Sequence, residues 1–239
     1  MANVLKPQRL QKGDLIGVIS PASAPSSTEK IEKGVRYLES LGYRTRVGKH
    51  AATVHGYLAG TDEERAADLN EMLNDRSVRA IIAVRGGYGT PRLLRLVDYR
   101  AAKRDPKIIV GYSDLTALQL ALFRKTGLVT FSGPMVGVEM WEKIDPFTEE
   151  QFWRIMTSLA KIGTLTNPLE EPATALRPGR ATGRLFRVRH AVASRPPHGL
   201  LSTVLDKLSR LDDCHASSNL GFQPDRGGFG PCGNSSAQR

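Results

Sequence analysis

The chain has 239 residues, a mass of 26.2 kDa and a formal charge of +10, from 34 Lys and Arg against 24 Asp and Glu. Apolar residues at 40% and charged residues at 24% exclude a wholly disordered chain, and the length suits one large domain or two small ones. The basic balance permits contact with nucleic acid or an anionic membrane without requiring it, and no apolar run reaches the ~18 residues of a membrane span.

Cys214 and Cys232, both near the C-terminus, make neither a disulfide framework nor a zinc-ligand pattern. The polar, basic start from Met1 to Lys12 has no apolar stretch after it, so a secretory signal is not expected. The expectation is a cytoplasmic protein without metal or cofactor.

The apolar run from Asp14 to Ser20 meets Pro21-Ala22-Ser23-Ala24-Pro25 and predicts a buried strand followed by a loop. Thr28 is placed to cap a helix with Ile31, Val35, Leu38 and Leu41 on its apolar side, and Gly42 ends it. Tyr43 to Val47 alternates like a strand. Thr61-Asp62-Glu63-Glu64 has the capping-box pattern and opens a helix with Ala66, Leu69, Met72 and Leu73 inward. Arg79 to Val84 is a strand whose core, Ala80 to Val84, is apolar throughout, of the kind covered on both faces. A helix begins at Thr90-Pro91, a strand covers Lys107 to Val110, and a helix covers Asp114 to Lys125. A short strand is expected at Leu128 to Phe131 and a helix at Thr148 to Leu159, with Phe152, Ile155, Met156 and Leu159 on one face.

This alternation predicts an α/β fold: a mostly parallel sheet with helices on both faces, like Rossmann or flavodoxin domains. The expected boundaries are an α/β domain at 1–165, a linker at 166–185 and an irregular tail at 186–239. After Leu185 the chain contains no Ile, Met, Tyr, Trp or Glu. Helical spacing returns there between Leu200 and Leu211.

The strongest chemical feature is Ile108-Ile109-Val110-Gly111-Tyr112-Ser113-Asp114-Leu115. A buried strand ends and a helix starts at once, which lifts Ser113 onto the sheet rim above a helix N-terminus that favours negative charge. The turn follows the logic of a nucleophile elbow without its usual Gly-x-Ser-x-Gly. Capping the helix is the commoner use of such a Ser. Val84-Arg85-Gly86-Gly87-Tyr88-Gly89-Thr90 is a second strand-to-helix loop. Its glycines let backbone N–H groups turn toward an anion, and Arg85 offers a fork for a carboxylate. Their spacing fits neither a dinucleotide fingerprint nor a P-loop. Ser20 to Ser23 forms a third strand-end loop. His50 and His55 are expected in solvent, Trp141 and Trp153 in packing, and the basic residues within 92–95 and 100–104 on solvated helix faces.

Together with Gly13 to Ser23 and Gly133-Pro134-Met135, these motifs occur in an order that resembles the LD-carboxypeptidase family of serine peptidases, which includes the microcin C immunity peptidases. The resemblance covers about 13–185. It implies a peptidase that removes the terminal D-Ala from murein tetrapeptides in peptidoglycan recycling, with an N-terminal α/β domain and a strand-rich C-terminal domain. Ser113 would be the nucleophile, and the N–H groups of Gly87 and Asp114 the oxyanion donors. Arg85, Gly86, Tyr88 and Ser20 would line the substrate, with Arg85 near its terminal carboxylate. Family members are often homodimers.

The family's triad is Ser-Glu-His, with Glu and His supplied by the C-terminal domain. Here no Glu follows Glu171, and His190, His198 and His215 match no family motif. The abrupt change at Leu185 predicts either a change of coding frame or a truncated remnant, with impaired catalysis. Three functions follow: a serine carboxypeptidase with a murein or a microcin-like substrate, a non-catalytic binder of peptide or muropeptide, and, on charge alone, a nucleic-acid binder. The +7 carried by residues 1–184 is ordinary for a protein surface, so neither nucleic acid nor membrane is expected as a partner.

Overall fold

The computed structural model describes residues 4–158. The linker, the tail, the helical spacing at 200–211 and the last residues of the expected first domain lie outside them.

Four strands, β1 (Leu15–Ile19), β2 (Arg44–Val47), β3 (Val78–Ala83) and β4 (Ile108–Val110), form an all-parallel sheet in the order β2-β1-β3-β4. The main helices are α1 (Thr28–Ser40), α2 (Asp62–Asn74), α5 (Thr116–Thr126) and α6 (Pro146–Thr157), with short α3 (Thr90–Leu93) and α4 (Tyr99–Arg104) between β3 and β4. No helix of the described residues is long and apolar enough to cross a membrane.

The strands alternate as a period of two demands, apart from the start of β3, where a register shift against β1 puts Val78 with Ile81. Ile16, Val18, Ala80, Ile82, Ile108 and Val110 pack under Ile31 and Leu38 of α1 and Phe152 and Met156 of α6. Leu15, Ile19, Ile81 and Ile109 face Leu69, Met72 and Leu73 of α2, Ala101 and Ala102 of α4, and Leu118 and Leu122 of α5. Each buried Val, Leu, Ile, Met or Phe among them contributes ~1.5–3 kcal/mol of transfer free energy. Gly17 allows α2 its close approach, because a Cβ there would come within 2.8 Å of the Met72 sulfur. Trp153 stacks on Tyr43, with ring centroids 5.3 Å apart, and its indole N–H donates to the Tyr37 hydroxyl at 2.7 Å. The sheet runs away from β1 in one direction to β2 and in the other to β3. The crevice for a ligand therefore opens between the C-terminal ends of β1 and β3.

Several boundaries differ from expectation. Ser27, not Thr28, holds the N-cap position of α1, and Thr28 is its first helical residue. Helix α6 starts earlier, because the Asp145 carboxylate accepts from the Thr148 N–H at 3.0 Å and Pro146 fills the first turn. Leu128 to Phe131 forms no strand. Its hydrogen bonds are divided between Leu5 at one end and Ile109 and Gly111 at the other, so neither pairing extends beyond an isolated bridge.

Two cations are buried within this framework. The Lys107 ammonium donates to the carbonyls of Asp75 and Val78 at 2.8 Å and to Asp105 at 2.7 Å, closing the start of β4 against the start of β3. Arg65 is 1% exposed. Its guanidinium donates to the carbonyls of Pro21, Gly60 and Thr61 and pairs with Asp62. Burial lowers its pKa, and Asp62 opposes that shift.

Replacing Arg65 by Met strands these carbonyls and should cost about 3 kcal/mol of stability. Urea unfolding measures this, and a loss below ~1 kcal/mol would show that the carbonyls find other partners. Asp75 supplies a pH signature. The Ser77 hydroxyl and N–H, and then Arg46, bring its carboxyl down to about 2 from an ordinary 3.8. Its folded-state pKa is depressed, so its stabilisation is complete above the unfolded value and disappears as pH falls through about 2. Stability of the wild type should therefore fall more steeply on acidification than that of Asp75→Asn, and parallel curves would contradict this.

Candidate active site

Three loops leave the C-terminal ends of β1, β3 and β4 and meet. The turn after β4 carries Ser113, the single non-glycine residue with positive φ among the described residues, at 61°. Tyr112 holds the N-cap position, Ser113 to Leu115 form a 3-10 turn, and α5 follows. Ser113 is exposed, and its hydroxyl bonds to no described residue, so it does not cap the helix. The left-handed conformation costs a non-glycine residue ~1–2 kcal/mol.

The glycine loop lies against this turn. A Cβ on Gly86 would sit 3.1 Å from the Ser113 Cβ and 3.3 Å from its hydroxyl oxygen. Gly87 has φ +126°, and a Cβ there would overlap the Ser23 side chain. Ser23, in the loop after β1, accepts the Tyr88 N–H at 3.1 Å. The Asp114 carboxylate accepts the Thr90 N–H at 2.8 Å and joins the glycine loop to the Ser113 turn. The N–H groups of Gly87 and Asp114 donate to no backbone carbonyl among the described residues.

Below the turn, the Gln119 amide donates to the carbonyls of Gly111 and Phe131 at 2.8 and 2.7 Å. Beside it, the Tyr112 hydroxyl donates to Glu139 at 2.6 Å, and the same carboxylate accepts the Met135 N–H at 2.9 Å. Burial, and then Glu139, push the Tyr112 phenol up to about 12, so it stays a neutral donor. Among the described residues, no group of three or more His, Cys, Asp or Glu is arranged to hold a metal ion.

Ser113, Gly86, Gly87 and Asp114 are thus brought together. Tyr88 stands at the rim, 73% exposed and edge-on to Tyr57 with centroids 6.3 Å apart. Arg85 donates to the Ala24 carbonyl at 3.3 Å and lines a concavity beside α1. Ser20 is buried, and its hydroxyl donates to the Ala51 carbonyl at 2.6 Å. His50 is not in solvent: its Nδ1 lies 2.9 Å from buried Asp68, whereas His55 is exposed. Sequence reasoning placed Ser23 in a strand-end loop without singling it out, and it missed Glu139. For Ser23 a signal existed, since a positive-φ glycine stacked on another loop needs a small neighbour. For Glu139 the order of residues gives none.

Residues 16–133 match the LD-carboxypeptidase N-terminal domain. The chain belongs to the LD-carboxypeptidase family. A probable murein peptide carboxypeptidase of Bacillus subtilis is 41% identical over 181 residues, which are 75% of this chain and 56% of that protein. The murein tetrapeptide carboxypeptidase of Pseudomonas aeruginosa is 36% identical over 121 residues, 50% of this chain and 39% of the relative. The apo crystal structure of the microcin self-immunity protein MccF superposes with a TM-score of 0.64 at 36% identity, covering 69% of this chain and 50% of that one. The muramoyltetrapeptide carboxypeptidase from Oxalobacter formigenes superposes with 0.55 at 32% identity, covering 60% and 48%. The chain spans about half the length of the relatives it matches.

The strain at Ser113 can be measured. Ser113→Gly relieves it and Ser113→Ala keeps it, so the glycine variant should be the more stable of the two by about 1 kcal/mol, despite the entropy glycine adds to the unfolded chain. An alanine variant equal or superior in stability would mean that the turn relaxes without cost.

Proposed function

We propose that this domain performs the nucleophilic half of a serine LD-carboxypeptidase reaction on murein tetrapeptides. The observation that carries the reading is Ser113, exposed, unbonded and held at positive φ where β4 turns into α5, in contact with the glycine loop. The Ser113 Oγ attacks the carbonyl carbon before the terminal D-Ala, and the N–H groups of Gly87 and Asp114 take the negative charge that develops on oxygen. The C–N bond breaks, D-Ala leaves with the proton from the hydroxyl, and water then cleaves the serine ester. Arg85 supplies positive charge for a substrate carboxylate.

A serine hydroxyl needs a base that is itself oriented by a third group. No Glu follows Glu171, and His190, His198 and His215 lie outside the described residues. We therefore propose that turnover by this 239-residue chain is impaired and that peptide binding persists. The same reading carries the division into domain, linker and altered tail at 165 and 185. A microcin-like aminoacyl nucleotide is the second substrate class, supported by the 36% identity to the MccF self-immunity protein of Escherichia coli over 152 residues. The greater identity to the Bacillus subtilis murein peptide carboxypeptidase over a longer stretch favours the tetrapeptide.

D-Ala release and tetrapeptide binding, measured side by side on the chain and on Ser113→Ala, test the reading. We expect binding by both and release near background. Release at an ordinary enzymatic rate that Ser113→Ala abolishes would overturn the impairment and retain the nucleophile. Absence of both binding and release would overturn the function, and turnover of an aminoacyl nucleotide instead would move it to the second class.

A further inference from the structure

The end of the domain opposite Ser113 is strongly basic. There α2, α4 and α5 finish and β3 and β4 begin, and Arg76, Arg100, Lys103, Arg104, Arg124 and Lys125 are all exposed. Side-chain contacts tie them to one surface. Arg104 donates to the Asn74 side chain at 2.9 Å, which joins the end of α4 to the end of α2. The Lys125 ammonium stands 4.8 Å from the centre of the Tyr99 ring, which joins the end of α5 to the start of α4. Arg76 follows Asp75, whose carbonyl takes the buried Lys107 ammonium next to the start of β4.

These charges are unmatched. None of them forms an ion pair among the described residues. The neighbouring carboxylates are committed to other partners. Asp75 takes Ser77 and Arg46, Asp98 caps α4 and takes the Asn74 amide, and Asp105 takes Lys107. Glu71, on the last turn of α2, is exposed. Cations in the last turn of a helix offset its dipole, which accounts for Lys103 and Arg104 on α4 and for Arg124 and Lys125 on α5. The dipole gives no reason for Arg100, which stands in the first turn of α4.

Two aliphatic side chains stand exposed beside the charges. Val4 and Lys6 flank Leu5, whose N–H donates to the Gly127 carbonyl at the end of α5 at 2.9 Å, and Val4 is 47% exposed. Leu96 is 40% exposed, and its carbonyl accepts the Asn70 amide one turn along α2 from Asn74. The exposed aromatic rings of Tyr57 and Tyr88 belong to the other end, beside the candidate site.

This mixture selects among anionic partners. Single-stranded nucleic acid is held by aromatic rings that stack on its bases, and a duplex is commonly read by a helix laid in its groove. Here the cations come from several short stretches, and the ring among them, Tyr99, is half-buried with its hydroxyl bonded to the Leu94 carbonyl. An anionic bilayer attracts clustered Lys and Arg and accepts aliphatic side chains at its headgroup boundary. We propose that this end of the domain docks on an anionic phospholipid membrane, with the arginines and lysines on the phosphates and Val4 and Leu96 at the headgroup boundary. Ser113 and the glycine loop then face away from the lipid, open to substrate. The net charge of +7 on residues 1–184 gave no reason to expect a membrane; the placement of the charges does. The proposal is independent of the reading of Ser113 as a nucleophile.

Co-sedimentation of the full 239-residue chain with phosphatidylcholine vesicles, with and without phosphatidylglycerol, tests this. The chain should bind the anionic vesicles about tenfold more tightly at low salt, and the preference should shrink as salt rises. Arg100→Gln with Lys103→Gln, and Arg124→Gln with Lys125→Gln, change exposed side chains, so both double variants should fold. Each should weaken binding to the anionic vesicles severalfold. Lys33→Gln with Arg36→Gln removes the same charge from α1 and should leave binding nearly unchanged. Equal binding to the two kinds of vesicle would overturn the proposal. So would a loss in neither of the first two variants, or an equal loss in the α1 variant, because charge elsewhere in the chain or total charge would then carry the binding. A DNA duplex that binds more tightly than the anionic vesicles, and is lost in the same variants, would put nucleic acid in place of the membrane.

Discussion

The buried guanidinium of Arg65 is the constraint on which the rest of the site depends. An isolated charge in such a place is costly, and it is tolerable because carbonyls from three residues and one carboxylate converge on it. The carbonyls belong to Pro21, in the loop after β1, and to Gly60 and Thr61, in the approach to α2. Gly89 closes over the same group, since a Cβ there would meet an Arg65 nitrogen at 2.8 Å. One side chain on α2 thus fixes where two loops stand before any substrate is present.

From that anchor the site is built by contact between loops. The loop after β1 brings Ser23 against Gly87 and binds the Tyr88 N–H. The glycine loop brings Gly86 against Ser113, and Asp114 returns a bond to Thr90. No element of the triangle is long, and none is held by regular secondary structure. Preorganised N–H groups act on developing charge when the protein has already met the cost of orienting them. On the proposed function, that cost is met by small residues packed directly on one another and by Tyr112 tied to Glu139.

Much of this was legible in the sequence. The unbroken apolar strands, taken in turn with helices, gave the two-faced sheet, and the Thr61–Glu64 capping box forms with both of its reciprocal hydrogen bonds. The Ser113 turn was visible as a buried strand ending directly at a helix start, though the sequence could not separate a capping serine from one held in the left-handed region. Arg65, Asp68, Lys107 and Gln119 were not legible as interior residues. Nothing in the local pattern marks such burial, because what permits it is a partner such as Pro21, 44 residues from Arg65 along the chain. His50 escaped for the same reason, since its position is set by Asp68 on α2. Leu128 to Phe131 had the composition of a strand, but it lies between two short partners and not beside one long one.

The positive φ at Ser113 also limits which side chain this turn can carry. In the left-handed region a β-branched side chain crowds its own backbone, making such a residue a genuine outlier there. Threonine has the same hydroxyl and similar intrinsic reactivity, yet its extra methyl would crowd a backbone held at φ 61°. Cysteine, unbranched, meets no such barrier. Serine in place of threonine is thus dictated by the backbone at the end of β4, and the loop geometry filters the chemistry before reactivity enters.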